Sequence, residues 1–470
     1  MITAIIVGAG HRALGYAQLA KVRPEALKIV GVADPLPERR KHTAELFSIP
    51  EEMCFESAEI LASKGKLADA VINGTMDQEH VDTTIPLLEA GYDVLLEKPF
   101  AVNQEELCRL ADCVKKTDRK VLICHVLRYA PFYTEIKKRI LSGELGRIMN
   151  IQTAEHVSYH HFSACYVRGK WSKKSVCGAS SLLAKCCHDI DLLTWFKSGI
   201  TPVAVDSMGG QLFFNAENAP AGAGNYCLLD CPLEHACDFS VRRLHLDNPV
   251  RWRSYIWPKS AYCPEANTPE YREAALKDPS HPHSRCVWKC DNDQPDYQVV
   301  NITFADGTIA THTMAANTCR PLRKVHIIGT DGEIEGCFDD NKFVVRHRDL
   351  TPGHLLPGQK EYTEEVVDLG NMGDTTGAFG DHGGGDLRLA MDFVEFVEGG
   401  TPSISCTQLA DSINQTKTRL DQLREAQSKV DEGTAEWDAL QREIIDTENR
   451  LKSLEKEKKP NTFGMLRNNG

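Results

Sequence analysis

The run Leu95-Leu96-Glu97-Lys98-Pro99-Phe100 places a carboxylate and an amine at the end of an apolar stretch. A lysine partly desolvated beside a cofactor has its pKa lowered toward the range useful for acid/base work. Proline disfavours the helical region for the residue before it, so Pro99 holds Lys98 extended and fixes where its amine points. By composition alone the same run reads as a surface loop. A second chemical run is Gly8-Ala9-Gly10, with Ala13 where a third small residue belongs. Small residues let the backbone approach a pyrophosphate, and the helix that follows aims its N-terminus at the negative charge. His11 and Arg12 open that helix and join the cofactor-binding candidates. Asp34 follows 24 residues after Gly10. An acidic residue there accepts from ribose hydroxyls and repels a 2′-phosphate, which favours NAD over NADP. Arg39 and Arg40 stand nearby and leave room for NADP.

A dense set of hydrogen-bonding and aromatic groups follows. It comprises His125, Arg128 and Tyr129, then His156 to Phe162, then Tyr166, Arg168 and Trp171. A sugar presents hydroxyl edges and an apolar face, and such residues match both. His161, Tyr166, Arg168 and Trp171 are therefore substrate-binding candidates together with His125, Arg128 and Tyr129. The glycine-flexed loop His382-Gly383-Gly384-Gly385-Asp386 could close the pocket through His382, or be an ordinary turn.

Cys227, Cys231 and Cys237, with Cys286 and Cys290, form two close sets. Two such sets brought together make a structural zinc site, with His235 as a substitute ligand. The spacings are wider than the usual two residues. Unliganded buried thiols and an iron–sulfur cluster remain as alternatives. Nothing assigns a metal to the catalytic role.

The elements that must position these groups fall into four segments. Residues 1–125 alternate strands and helices, with strands at 2–7, 28–33, 69–73, 93–96 and 120–124 and a helix over Gln104–Lys116. That alternation predicts a parallel sheet covered on both faces. Residues 126–406 turn β-rich, as at Asn150–Ala154, Val299–Phe304, Thr308–Met314 and Lys324–Ile328. They predict a second domain on a large, mostly antiparallel sheet, with an irregular insertion at about 215–295. Over 411–458 apolar residues recur at helical spacing around a break at Asp431-Glu432-Gly433, which predicts an antiparallel helical hairpin packed on the body or on another subunit. The tail, 459–470, reads as flexible.

The net charge of −12 repels phosphate backbones and anionic lipid, so nucleic acid and membrane surfaces are excluded as partners. The apolar start, Met1 to Val7, is short, lacks a basic leader and reads as a buried strand rather than a signal peptide. No apolar run approaches the ~18 residues that span a bilayer. Seventeen cysteines, mostly scattered singly, point to a reducing cytoplasm.

Taken in order, Gly8-Ala9-Gly10, Asp34, Thr75 with His80, and Glu97-Lys98-Pro99 resemble the Gfo/Idh/MocA oxidoreductases. His188-Asp189-Ile190-Asp191-Leu192 followed by Trp195 resembles the helix that carries that family's catalytic histidine. The similarity extends over residues 1 to about 406. It implies a Rossmann domain plus an α/β domain whose sheet often forms the interface of a homo-oligomer. It implies hydride exchange between nicotinamide and a secondary hydroxyl of a sugar, cyclitol or glycoside. Lys98 is then the general acid/base, with His188 beside the reacting oxygen, and Thr75, His80, Glu97 and Lys98 border the cofactor. The chain departs from the pattern at Ala184, where many members carry an aspartate. Lys185 either takes over part of the proton relay, or Lys98 and His188 act without a carboxylate. Two further readings stay open. One is a redox glycosidase that oxidises the sugar transiently and eliminates the aglycone; the other is a non-catalytic NAD-binding regulator.

Overall fold

The computed structural model describes residues 1–353, 358–370 and 382–400, and scattered positions between 424 and 448. The first sheet has six strands: β1 (Ile2–Val7), β2 (Leu27–Ala33), β3 (Cys54–Phe55), β4 (Ala70–Asn73), β5 (Asp93–Leu96) and β6 (Val121–Ile123). All pairs are parallel, in the order β3-β2-β1-β4-β5-β6. Apolar side chains pack on both faces, one set around Ile2, Ala4 and Ile6, the other around Ile5, Val71 and Val94. This is why the strands read as continuous apolar runs. The order reverses between β1 and β4, which opens a crevice beyond their carboxyl ends. The two-residue β3 was not legible in the sequence, because so short a strand carries no period.

The second sheet has eight strands: β7 (Ile148–Ser158), β8 (Pro202–Gly210), β9 (Tyr297–Phe304), β10 (Ile309–Thr318), β11 (Leu322–Gly329), β12 (Gly332–Cys337), β13 (Lys342–Arg348) and β14 (Tyr362–Asp368). Their order is β14-β13-β12-β11-β7-β10-β9-β8. Every pair is antiparallel except β7 with β10. The helices Pro131–Ser142 and Cys187–Phe196 contribute to the core on its inner side, through Phe132, Ile136, Leu192 and Trp195. The expected fold class, a Rossmann domain joined to an α+β domain with a large, mostly antiparallel sheet, is the one observed.

The stretch 215–295 consists of short helical turns and one longer helix, Pro269–Lys277. Its core is aromatic, with Phe214, Phe239 and Trp288 buried together. The helix Gly385–Val397 follows the second sheet in the chain but packs into the first domain's core through Leu389, Ala390, Phe393 and Val394. A Cβ at Gly385 would lie 2.7 Å from the Val126 carbonyl oxygen, so this close docking requires glycine. The hairpin expected over 411–458 lies largely outside the described residues. Where it is described, Arg424 pairs with Glu448 at 2.7 Å and Gln427 donates to Gln441 at 2.6 Å. The tail lies wholly outside them. Among the described residues, no helix is long and apolar enough to cross a membrane.

Candidate active site

The turn after β1 is shaped to admit a phosphate. Gly8 has φ +73°, and a Cβ there would stand 2.7 Å from the Thr75 amide nitrogen. Only glycine satisfies both constraints. A Cβ at Gly10 would meet nothing nearer than 4.0 Å, so the backbone there faces open space. The helix His11–Ala17 starts directly after it. The Asp34 carboxylate, at the end of β2, accepts from the Ala9 amide at 2.8 Å and the Leu36 amide at 2.9 Å. It thus braces the glycine turn while sitting where the ribose is expected. Arg39 lies 3.7 Å from it. Thr75 donates to Asn73 Oδ1 at 2.9 Å. His80 is buried between the Pro99 carbonyl, at 2.7 Å, and the Thr75 carbonyl, at 3.2 Å. It ties the loop after β5 to the loop after β4, and so positions Lys98.

Beneath the crevice lies a buried charge network that the sequence did not reveal. Arg12 donates from Nε to Glu97 at 3.1 Å, from Nη1 and Nη2 to Asp386 at 3.0 and 2.7 Å, and from Nη2 to the Tyr16 hydroxyl at 2.7 Å. Its nitrogens are committed to these partners rather than to the open side of the turn. Tyr16 donates to Glu97 at 2.8 Å. Burial alone would raise the pKa of Glu97. The charges of Arg12 and Lys98 and the Tyr16 and Arg12 hydrogen bonds outweigh it and hold the carboxyl below its usual value. Asp386 is likewise held well below the usual range, against burial, by Arg12 and His382. His382 faces Asp386 at 3.1 Å. Arg12, Glu97 and Asp386 therefore form one ionised cluster linking β5 to the helix Gly385–Val397.

Lys98 stands on top of this cluster. Its peptide to Pro99 is cis and the run bends immediately after β5. The Lys98 amide donates to Glu97 Oε2 at 2.8 Å, and its amine donates to the Ala184 carbonyl at 2.7 Å. A main-chain carbonyl thus meets the lysine at the position where many family members carry an aspartate. The carbonyl orients the amine but cannot itself take a proton.

Around Lys98 the chain gathers histidines. His188 is on the helix Cys187–Phe196, with its ring 6.2 Å from that of His125 and 6.0 Å from that of His382. Burial, then the charge of Lys98 and the neighbouring histidines, push its pKa well below 6.5, so its ring is neutral. Burial lowers His125 and His382 as well, and takes His11 to about 4. Lys185 turns to Glu155, 3.3 Å away, and Glu155 and Asp189 share Arg323 at 2.7 and 3.0 Å. Lys185 is therefore paired with a carboxylate behind the site.

The substrate candidates separate into two groups. His161 stacks on Trp252 with ring centres 3.9 Å apart, and Tyr166 stacks on Trp171 at 5.9 Å. Trp171 donates to Asp77 at 2.8 Å. Tyr255 lies 5.7 Å from Trp171 and 6.3 Å from His11, joining this aromatic wall to the nucleotide turn. Trp252 and Tyr255 belong to the insertion, where nothing in the sequence singled them out. Arg128, Tyr129 and Arg168 correct the expectation that they reach substrate. Arg128 forks onto Asp191 at 2.7 and 2.5 Å, and Tyr129 donates to Asp392 at 2.7 Å. Arg168 donates to the Arg285 and Phe239 carbonyls at 2.8 and 2.9 Å. All three are at most 2% exposed, so they build the walls from inside.

The five cysteines named for zinc include four, Cys227, Cys231, Cys237 and Cys286, that line one hollow in the insertion. Among the described residues, the group of three or more metal-binding side chains with donor atoms within 4.8 Å of one another is Cys186, Asp189 and His312, not the cysteine set. Tetrahedral thiolates on a zinc ion stand about 3.8 Å apart. Among the five cysteines no three sulfurs lie within 4.8 Å of one another. Asp189 in the other group is already paired with Arg323.

The buried neutral histidines set the acid limit of the fold. A histidine whose folded pKa lies below 6.5 binds its proton more readily when unfolded. Stability is full above about pH 6.5 and is lost as pH falls toward the folded value. For His11, with a folded pKa of about 4, the loss by pH 5 is about 2 kcal/mol. Urea unfolding at pH 7 and pH 5 should show a lower midpoint at pH 5 even though no catalytic group has been altered. An unchanged midpoint would refute the neutral assignment.

A parallel six-stranded sheet with a glycine turn at its reversal point defines the Rossmann class of fold. Residues 2–125 match the family described as "Oxidoreductase family, NAD-binding Rossmann fold", GFO_IDH_MocA. Over residues 2–125 the chain therefore carries this family's NAD-binding Rossmann domain. It is 24% identical over 389 residues to the Bacillus subtilis protein YteT, covering 78% of this chain and 81% of that one. It is 30% identical over 142 residues to scyllo-inositol 2-dehydrogenase (NAD(+)) of Bacillus subtilis, covering 30% of this chain and 41% of that enzyme. The match thus spans less than half of the inositol enzyme. A levoglucosan dehydrogenase solved with NADH and levoglucosan shares the fold, with a TM-score of 0.57 at 18% identity over 87% of this chain and 93% of its own.

Proposed function

We propose that this chain transfers a hydride between NAD and a secondary hydroxyl of a sugar, cyclitol or glycoside. The observation that carries this reading is the placement of Lys98, beside the neutral ring of His188, directly after Glu97, the carboxylate bound by Arg12 of the helix that follows the Gly8–Gly10 turn. The turn fits a dinucleotide because Gly8 leaves no room for a side chain while Gly10 faces open space. Gly8, Gly10 and Asp34 would hold the pyrophosphate and ribose, with His11 and Thr75 at the border. NAD supplies the hydride acceptor when bound.

The chain's own residues manage the proton and the oxygen. In the oxidising direction the hydroxyl proton passes to the Lys98 amine, whose position the Ala184 carbonyl fixes. His188, kept neutral, donates a hydrogen bond to the reacting oxygen. His125 and His382 pack beside it and keep its ring in place. Lys185 acts by holding Glu155 rather than by meeting substrate. The aromatic wall of His161, Tyr166, Trp171 and Tyr255 receives the apolar face of the ring. The Asp34 carboxylate favours NAD, and the apolar outer strand β8, with Val203, Val205 and Met208 exposed, favours a homo-oligomer. Free thiols at every described cysteine fit a reducing compartment.

The test is a panel of free sugars, cyclitols and aryl glycosides, each with NAD and with NADP, following reduced cofactor and released aglycone together. Reduced NAD should accumulate with at least one polyol and not with NADP. Aglycone release without accumulation of reduced cofactor would instead establish the glycosidase.

A further inference from the structure

We propose that Cys227, Cys231, Cys237 and Cys286 hold an iron–sulfur cluster of the four-iron class inside the insertion. The four thiols approach one hollow from two separate chain segments. The pairing is built into the backbone. Tyr226 and Arg285 form an antiparallel bridge, the Cys227 amide donates to the Ser284 carbonyl at 3.0 Å, and the Cys286 amide donates to the Asn225 carbonyl at 2.7 Å. Cys227 and Cys286 are thereby fixed opposite one another. Turns closed by the Glu234 amide on the Cys231 carbonyl at 3.3 Å and by the Cys237 amide on the Leu233 carbonyl at 2.9 Å bring Cys231 and Cys237 to the same hollow.

A buried guanidinium stands beside the thiols. Arg168 is buried and donates to the Cys227 sulfur at 3.5 Å. N–H donors of this kind stabilise sulfur once it is ionised. Leu233, Phe239, Val287 and Trp288 line the hollow together with Glu234 and Ser240. No three of these sulfurs lie within 4.8 Å of one another, wider than the ~3.8 Å between thiolates on one zinc ion, and a four-iron core takes one cysteine at each iron. Cys290 is not part of the set: its thiol donates to the Cys286 carbonyl at 3.3 Å.

The role is structural. The stretch 215–295 has few regular elements to hold it, yet it supplies Trp252 and Tyr255 to the aromatic wall. A cluster would close that stretch on itself. Assembly joins two ferrous ions, two ferric ions and four sulfides to the four cysteines with no net oxidation or reduction, and each thiol releases one proton, so it is favoured as pH rises.

The full-length protein should be purified without oxygen and its iron, acid-labile sulfide and zinc measured. About four irons and four sulfides per chain are expected, with broad visible absorbance that bleaches on reduction. Cys237→Ser should lose the iron, whereas Cys290→Ser and Cys319→Ser should keep it. Zinc in place of iron, or no metal after anaerobic incubation with iron and sulfide, would overturn the proposal on the unaltered chain, whether or not Cys237→Ser folds. None of these readouts depends on the hydride-transfer reading.

Discussion

Replacing Lys98 by alanine should lower kcat by roughly 10²–10⁴-fold while leaving NAD affinity within a few fold, as expected when a positioned acid/base group is removed. The asymmetry follows from where the amine is held. Its partner in the structure is the Ala184 carbonyl, a fixed acceptor on the second domain, not an atom of the glycine turn. Cofactor contacts at Gly8, Gly10 and Asp34 survive the change. Steady-state kinetics with the best substrate of the panel, together with a fluorescence titration of NAD, separate the two quantities. A fall of less than about tenfold in kcat would remove Lys98 from the proton path. His188 would then have to carry the proton by itself, from a ring that burial already makes reluctant to accept one.

The second large effect is on stability. Arg12→Ala should cost about 3–5 kcal/mol, the usual consequence of leaving buried charges without their partner. Two carboxylates depend on it: Glu97, 3.1 Å from its Nε, and Asp386, bound through both other nitrogens. The side chains of Glu97 and Asp386 are only 6% and 3% exposed, so water cannot take over. Because Asp386 begins the helix Gly385–Val397, the damage should appear as loosening of that helix from the first domain. Arg12→Lys should restore only part of the loss, since an ammonium cannot fork onto a carboxylate as a guanidinium does. Urea midpoints of the three proteins report this. A loss below about 1 kcal/mol would mean the cluster is worth no more than a surface pair.

The two cases also show what the sequence can and cannot reveal. Glycine at position 8 is legible because a local demand, a left-handed turn against Thr75, dictates it. The parallel strands are legible because burial on both faces makes them continuously apolar. Arg12 looked like a phosphate ligand because its neighbours in the chain are cofactor residues. Its actual partner, Asp386, lies 374 residues away, and no local pattern encodes a pair of that kind. Arg128 and Tyr129 misled for the same reason: they stand at the mouth in sequence, but Asp191 and Asp392 draw them into the core. Ala184 was visible as a missing carboxylate. That its own carbonyl meets Lys98 could be seen only once the helix after it was placed. Trp252 and Tyr255 had no period and no motif around them, and their role comes entirely from the packing of the insertion.

The central claim is hydride exchange between NAD and a ring hydroxyl. It is tested most directly by isotope transfer. The protein, with NAD and sugars or cyclitols deuterated at the carbinol carbons, should yield nicotinamide carrying deuterium at C4, detected by NMR, and the label should vanish with Lys98→Ala. NAD that binds tightly yet never acquires label from any member of a broad panel would contradict the account and leave the non-catalytic dinucleotide binder in its place.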